Sequence, residues 1–263
     1  EIAKFRAARR LWARIMKERF GAVDPKSQML RFHVHTAGSV LTSQQPDNNV
    51  VRIAWQALSA ILGGTQSLAT CAKDEAIALP TEDSALLSLR TQQLLAYESR
   101  VTDTIDPLAG SYCIEALTDQ IEQAAREYIA KIDAMGGAVT AIEKGYMQTE
   151  MANSAYKYQK AIETKEQIVV GVNEFVTEET QSGEYLTVDP AVGEQQTVAL
   201  SRMKAGRDNA AVTASLTALR QAAQGTDNLM PYLIDSVKTY ATLGEICGVL
   251  RDVFGEYKSE ADF

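Results

Sequence analysis

Both histidines of this 263-residue chain stand two apart, in the stretch Arg31-Phe32-His33-Val34-His35-Thr36-Ala37-Gly38. Successive side chains of an extended strand point to opposite faces. Arg31, His33 and His35 then line one side, and Phe32 and Val34 the other. Cationic and titratable groups gathered along one side of a strand are costly to bury unless something anionic or polar meets them. Taken singly, each could be a satisfied core histidine or a surface cation. As a set on one face, they read as a ligand wall. A second apolar and hydroxyl-rich stretch, residues 65–71, offers Gln66, Ser67 and Thr70. Just beyond it stand Asp74 and Glu75. A carboxylate there could accept hydrogen bonds from ligand hydroxyls such as a ribose, or complement the dipole of a following helix.

The surrounding pattern says which elements hold these groups. Residues 1–20 have helical periodicity, with Ile2, Phe5, Leu11, Trp12, Ile15 and Met16 on one stripe and arginines around it. Gly21 to Ser27 turn the chain into a strand over 29–35. Pro46-Asp47-Asn48-Asn49 caps a second helix, which Gly63-Gly64 stops. The strand over 65–71 follows, then a third helix from the Leu79-Pro80-Thr81-Glu82 start to about Ser99. Helix–strand–helix–strand–helix at about 30 residues per unit is the order of a parallel β/α fold. In such folds ligands gather at the carboxyl ends of the strands. A barrel interior is normally packed with branched apolar side chains. Strands carrying arginine, histidine and glutamine suit an open barrel with a polar ligand running through it.

Beyond residue 100 the pattern is helical: 115–134, then 138–165 with a break at Gly145. A short apolar run over 168–172 reads as one further strand. The expected organisation is 1–99 as closing β/α units, 100–176 as a helical wrapping segment, 177–196 as a polar linker containing Gly183 and Pro190, and 197–263 as a helical tail. Helices over 197–223 and 230–254 make up that tail.

A net charge of -8 and a pI near 5.0 argue against nucleic acid or an anionic membrane as the main partner. No apolar run approaches the roughly 20 residues a membrane span needs. Three dispersed cysteines without metal spacing suit a reducing, cytoplasmic setting, and no metal site is expected. The chain opens on Glu1-Ile2-Ala3-Lys4, already in helical register, which reads as the interior of a longer protein.

These residues carry a resemblance. Arg31-Phe32-His33 with Thr36-Ala37-Gly38, then Gln45-Pro46, Asn48-Asn49-Val50-Val51-Arg52, Gly63-Gly64-Thr65-Gln66-Ser67-Leu68 and Asp74-Glu75-Ala76 resemble the catalytic large subunit of the methylmalonyl-CoA mutase family. Asp106-Pro107, Met135-Gly136-Gly137 and Val170-Gly171-Val172-Asn173 extend the likeness to about residue 175. The resemblance implies an α/β fold, the C-terminal part of a (β/α)8 barrel holding its last two strands, followed by an α-helical extension. It implies a radical 1,2-rearrangement of a branched acyl-CoA that depends on adenosylcobalamin. Arg31, His33 and Gln66 would contact the CoA ester. His35, Gly38, Glu75 and Ala78 would face the corrin and its adenosyl group, with Gln159 as a further corrin contact.

It also implies that the catalytic tyrosine and histidine flanking the acyl group lie on an upstream barrel-forming polypeptide. Because no histidine follows His35, cobalamin would be bound mainly by a separate small subunit. The sequence departs from the family at His35, where glutamine is usual, and at Ala69, Cys71 and Lys73, where histidine, asparagine and an aromatic are usual. Those departures leave the acyl group open. Two other readings also stand: a non-catalytic helical scaffold subunit, and a CoA-binding β/α module without cobalamin.

Overall fold

The computed structural model describes residues 1–178 and 185–257. They form a helical α/β protein in two compact units, one over Glu1–Thr187 and a second from Val188. The first holds α1 (Ile2–Glu18), β1 (His33–His35), α2 (Asn48–Leu62), β2 (Ser67–Ala69), α3 (Glu82–Tyr97), α4 (Tyr112–Ala134), α5 (Ala138–Glu143) and α6 (Tyr146–Glu163). The second holds α7 (Pro190–Gly206), α8 (Asn209–Ala223), α9 (Met230–Lys238) and α10 (Leu243–Phe254).

β1 and β2 pair in parallel, with His33 opposite Ser67, Val34 opposite Leu68 and His35 opposite Ala69. A parallel pair needs a crossover, and α2 supplies it. Both strands are shorter than the sequence suggests. Phe32 N–H donates to the Gln66 side chain at 2.8 Å, so a side chain takes the place of the ladder just before β1. Among the described residues the sheet has only these two strands.

α1 buries Ala3, Ala7 and Leu11; of the expected stripe Leu11 is buried, Ile2, Phe5, Ile15 and Met16 are half-buried, and Trp12 stays 39 % exposed. Small residues at four-residue spacing let α1 lie close to α4. The arginines at the same spacing complete that interface. Arg6 bonds Asp106 at 3.0 Å and Glu115 at 2.8 Å, Arg10 bonds Asp119 at 2.6 Å, and Arg14 bonds Glu122 at 2.6 Å. Burial alone would raise the pKa of Glu122, but hydrogen bonds from Arg10 and Arg126 outweigh it and hold the carboxylate below its ordinary range.

α2 buries Asn49, Ile53, Ala57 and Ala60 along one face, and Leu41, Ile53 and Cys71 form a small core beneath the strands. Asp47 precedes the helix without capping it, its carboxylate pairing instead with Lys73 at 2.5 Å. Thr81 caps α3 by accepting from Ser84 N–H.

Three expected elements differ. The run 168–172 is a turn with one isolated bridge, Val170 to Glu174, because Gly171 takes φ +82° and Asn173 clamps the loop from within. Its side chain accepts from Val169 N–H and donates to Ile162 O and Gln167 O, each at 2.8 Å. The two long tail helices are four. Asp208 caps α8 and Thr242 caps α10, each starting a new helix where continuous periodicity suggested one. α7 begins at Pro190, within the expected linker, whose Gly183 lies outside the described residues, as does the end of the expected tail beyond 257. Leu219, Ile246 and Val249 centre the second unit's core.

Candidate functional site

β1 and the two residues before it alternate in exposure: Arg31, His33 and His35 are exposed, while Phe32 and Val34 are half-buried. Phe32 stacks on Phe5 of α1, ring centroids 5.3 Å apart. Residues opposite one another in a parallel ladder share a face, and His33 Nδ1 lies 2.8 Å from Ser67 Oγ. Gln66, one residue earlier, points the other way. It accepts from Phe32 N–H and donates to Gly64 O at 2.9 Å.

The expected CoA contacts therefore divide. Arg31 and Gln66 come together in a hollow of about 410 Å³ with Arg9 and Met29. His33 lines a separate cleft of about 450 Å³ with His35, Phe5, Val40 and Gln56. All sit on, or directly beside, neighbouring parallel strands, but they do not line one cavity.

At the carboxyl ends of the strands Gly38 and Glu75 meet. A Cβ built on Gly38 would stand 3.2 Å from Glu75 Cγ, so the missing side chain is what leaves room there. Ala78, half-buried, closes the same turn by donating its N–H to Asp74 O at 2.9 Å. Gln159 is apart from this group: exposed on α6, it bonds Glu163 at 2.8 Å.

Sequence reasoning missed the residues that lock the strand ends. Thr36 is buried, and its Oγ accepts from Cys71 N–H at 2.8 Å. The Cys71 thiol donates to Thr36 O at 3.1 Å and lies 3.7 Å from His35 Nδ1. Asn49, fully buried, donates to Thr42 O at 2.8 Å and Lys73 O at 2.9 Å, and accepts from Thr42 N–H and Arg52. It ties the loop after β1 to the loop after β2. A lone Asn on the apolar face of a helix was the available signal, since buried amides are hydrogen-bonded almost without exception. Asp74, offered as a ligand acceptor, turns inward. Its Oδ2 accepts from Thr81 N–H at 3.2 Å, and its Oδ1 is buried without a hydrogen bond. Asp47 raises the Lys73 pKa by accepting its hydrogen bond.

No group of three or more potential metal ligands occurs among the described residues, and no helix there is long and apolar enough to cross a membrane. Arg31 with Gln66 in one hollow, and His33 with His35 in the other, can each hydrogen-bond a polar ligand.

The family model for methylmalonyl-CoA mutase matches residues 1–256. The chain is 46 % identical to the 2-hydroxyisobutanoyl-CoA mutase large subunit of Aquincola tertiaricarbonis over all of its length and 47 % of the relative's. It is 44 % identical to the methylmalonyl-CoA mutase of Escherichia coli, over 97 % of this chain and 36 % of that enzyme. Against the mitochondrial methylmalonyl-CoA mutase of Homo sapiens identity is 39 %, over 98 % of this chain and 35 % of the relative. The chain thus spans from about a third to about half the length of these relatives. With a match of this extent on a chain that holds a parallel β/α pair, the chain belongs to the methylmalonyl-CoA mutase family.

Proposed function

We propose that this chain is part of the catalytic large subunit of a cobalamin-dependent acyl-CoA mutase, an isomerase that moves a group between adjacent carbons of a branched acyl-CoA. The observation that carries the reading is the family match over residues 1–256, on a chain whose parallel strand pair holds His33 and His35, with Arg31 and Gln66 just before the strands and Glu75 beyond β2. Candidate substrates are methylmalonyl-CoA, isobutyryl-CoA and 2-hydroxyisobutyryl-CoA. The proposed partners are an upstream barrel-forming polypeptide and a cobalamin-binding small subunit. The two-stranded sheet of the described residues cannot close on itself, and in this reading the remaining strands come from the upstream polypeptide.

In this reading Arg31 and Gln66 hold the polar CoA arm, with Arg31 as an always-charged donor. His33, braced by Ser67, orients the thioester end and acts by position rather than as a general base. The Gly38–Glu75 contact fits the adenosylcobalamin side of the site. A bare backbone beside a carboxylate gives a flat approach and an acceptor for ribose hydroxyls, and Ala78 and His35 flank it. When bound, the cofactor supplies the radical by homolysis of its cobalt–carbon bond. The chain's own residues bind, orient and keep water away. Gln159 is at most a peripheral contact.

The test is reconstitution. Co-produced with the rest of the barrel and a cobalamin-binding subunit, the chain should support isomerisation of at least one of the three thioesters. Arg31→Ala should raise KM for the acyl-CoA by about tenfold, the loss of one charge-assisted contact. An assembly that turns over equally well with Arg31 and His33 both replaced would instead make the chain a scaffold subunit.

A further inference from the structure

His35 and Cys71, 36 residues apart in sequence, meet in space, and Ala69 is His35's partner in the sheet register. His35 Nδ1 lies 2.8 Å from the Thr36 carbonyl oxygen and 3.7 Å from Cys71 Sγ. A carbonyl oxygen can only accept, so Nδ1 carries a proton, and in the Nδ1–H tautomer Nε2 is the acceptor left for a ligand. Cys71 is held hard in place. Its N–H donates to Thr36 Oγ, its thiol donates to the same carbonyl that His35 uses, and its side chain is buried in the core with Leu41 and Ile53. The sulfur therefore forms a fixed stop against the ring, and Ala69 beside it takes up little space. His35 itself is exposed and shares the cleft with His33. Glutamine at this position would offer both a donor and an acceptor. Histidine in this tautomer offers the acceptor alone.

We propose that His35 is a specificity-determining residue of this site, presenting Nε2 to a hydroxyl on the bound ligand, and that Cys71 is the positioning residue that holds the ring. The inference rests on the acyl-CoA mutase reading above. The hydroxyl can belong to the acyl chain of the thioester or to the ribose of the cofactor's nucleoside, and the two are separable.

One arm of the test needs no turnover. In the reconstituted complex, with this chain alone carrying 15N-labelled histidine, solid-state NMR should show His35 protonated at Nδ1. Its resonances should shift in Cys71→Ala and return in Cys71→Ser. Protonation at Nε2 overturns the proposal whatever the activity.

The kinetic arm compares 2-hydroxyisobutyryl-CoA with isobutyryl-CoA. If the hydroxyl is on the acyl chain, His35→Phe lowers the kcat/KM ratio of the two substrates about tenfold, one hydrogen bond's worth, and His35→Gln restores part of it. If it is on the ribose, both substrates fall together and KM for adenosylcobalamin rises about tenfold. Parameters unchanged within about twofold in His35→Phe overturn the proposal. A wild-type complex that isomerises none of the thioesters overturns the acyl-CoA reading and the ligand half of this inference with it, while the NMR arm still judges the tautomer.

Discussion

Single residues do most where one side chain satisfies several elements, and Glu245 is the sharpest case. Its carboxylate takes a bidentate pair from Arg207, at 2.8 and 2.6 Å, and accepts from the N–H and hydroxyl of Thr242 at 2.8 and 2.9 Å. Those bonds, Arg207's first, lower its pKa from 4.5 to about 2. A native carboxylate that resists protonation stabilises the fold above the pKa of the unfolded chain, and that stability drains as pH falls through the native value. The second unit should therefore lose stability between pH 4.5 and about 2, followed by urea titrations at stepped pH. Glu245→Gln should flatten that decline while lowering stability at pH 7. A variant that keeps the wild-type acid profile would show that other carboxylates carry it.

At the scale of elements, the fold depends on how closely α1 and α2 approach one another beneath β1. Gly63 ends α2 at φ -80°, an ordinary conformation, so its role is space and not backbone freedom. A Cβ there would stand 2.6 Å from Phe5 Cδ2 and 3.1 Å from Ser59 O. Phe5 in turn stacks on Phe32, next to the histidine strand. Gly63→Ala should cost about 1–3 kcal/mol through overpacking, read as a shift in the urea midpoint with the slope unchanged. Phe5→Leu added to it should recover part of the loss. If the single variant is as stable as wild type, the helix contact is looser than the distances say.

At the scale of the molecule, the two strands of the described residues leave two edges without a further strand. Thr36 N–H donates across to Ala69 O at 3.1 Å, and alternate residues of a strand face alternate sides. The backbone groups of His33 and His35 therefore face away from β2, ready to pair with a strand from outside. Their amides should exchange rapidly in the chain alone and slow by about 100-fold or more once the remaining barrel is supplied, measured by hydrogen exchange. Equal rates in the two states would mean that no strand adds to that edge.

Much of this was legible in the residues before any fold was known. A period of two is a property of local backbone geometry, so His33 and His35 had to share a face once the strand was recognised, while Arg31 stands before β1 and lines the hollow with Gln66. Proline, glycine and helical spacing likewise placed α1 to α6, though they ran α7 with α8 and α9 with α10, because caps such as Asp208 and Thr242 act without breaking hydrophobic periodicity. What only the tertiary structure decided is what those side chains meet. The packing around the strand starts put Gln66 in one hollow with Arg31 and apart from His33. The Cys71–His35 contact joins residues 36 apart in sequence. Such pairings depend on how separately formed elements are brought together by packing, and no local spacing encodes them.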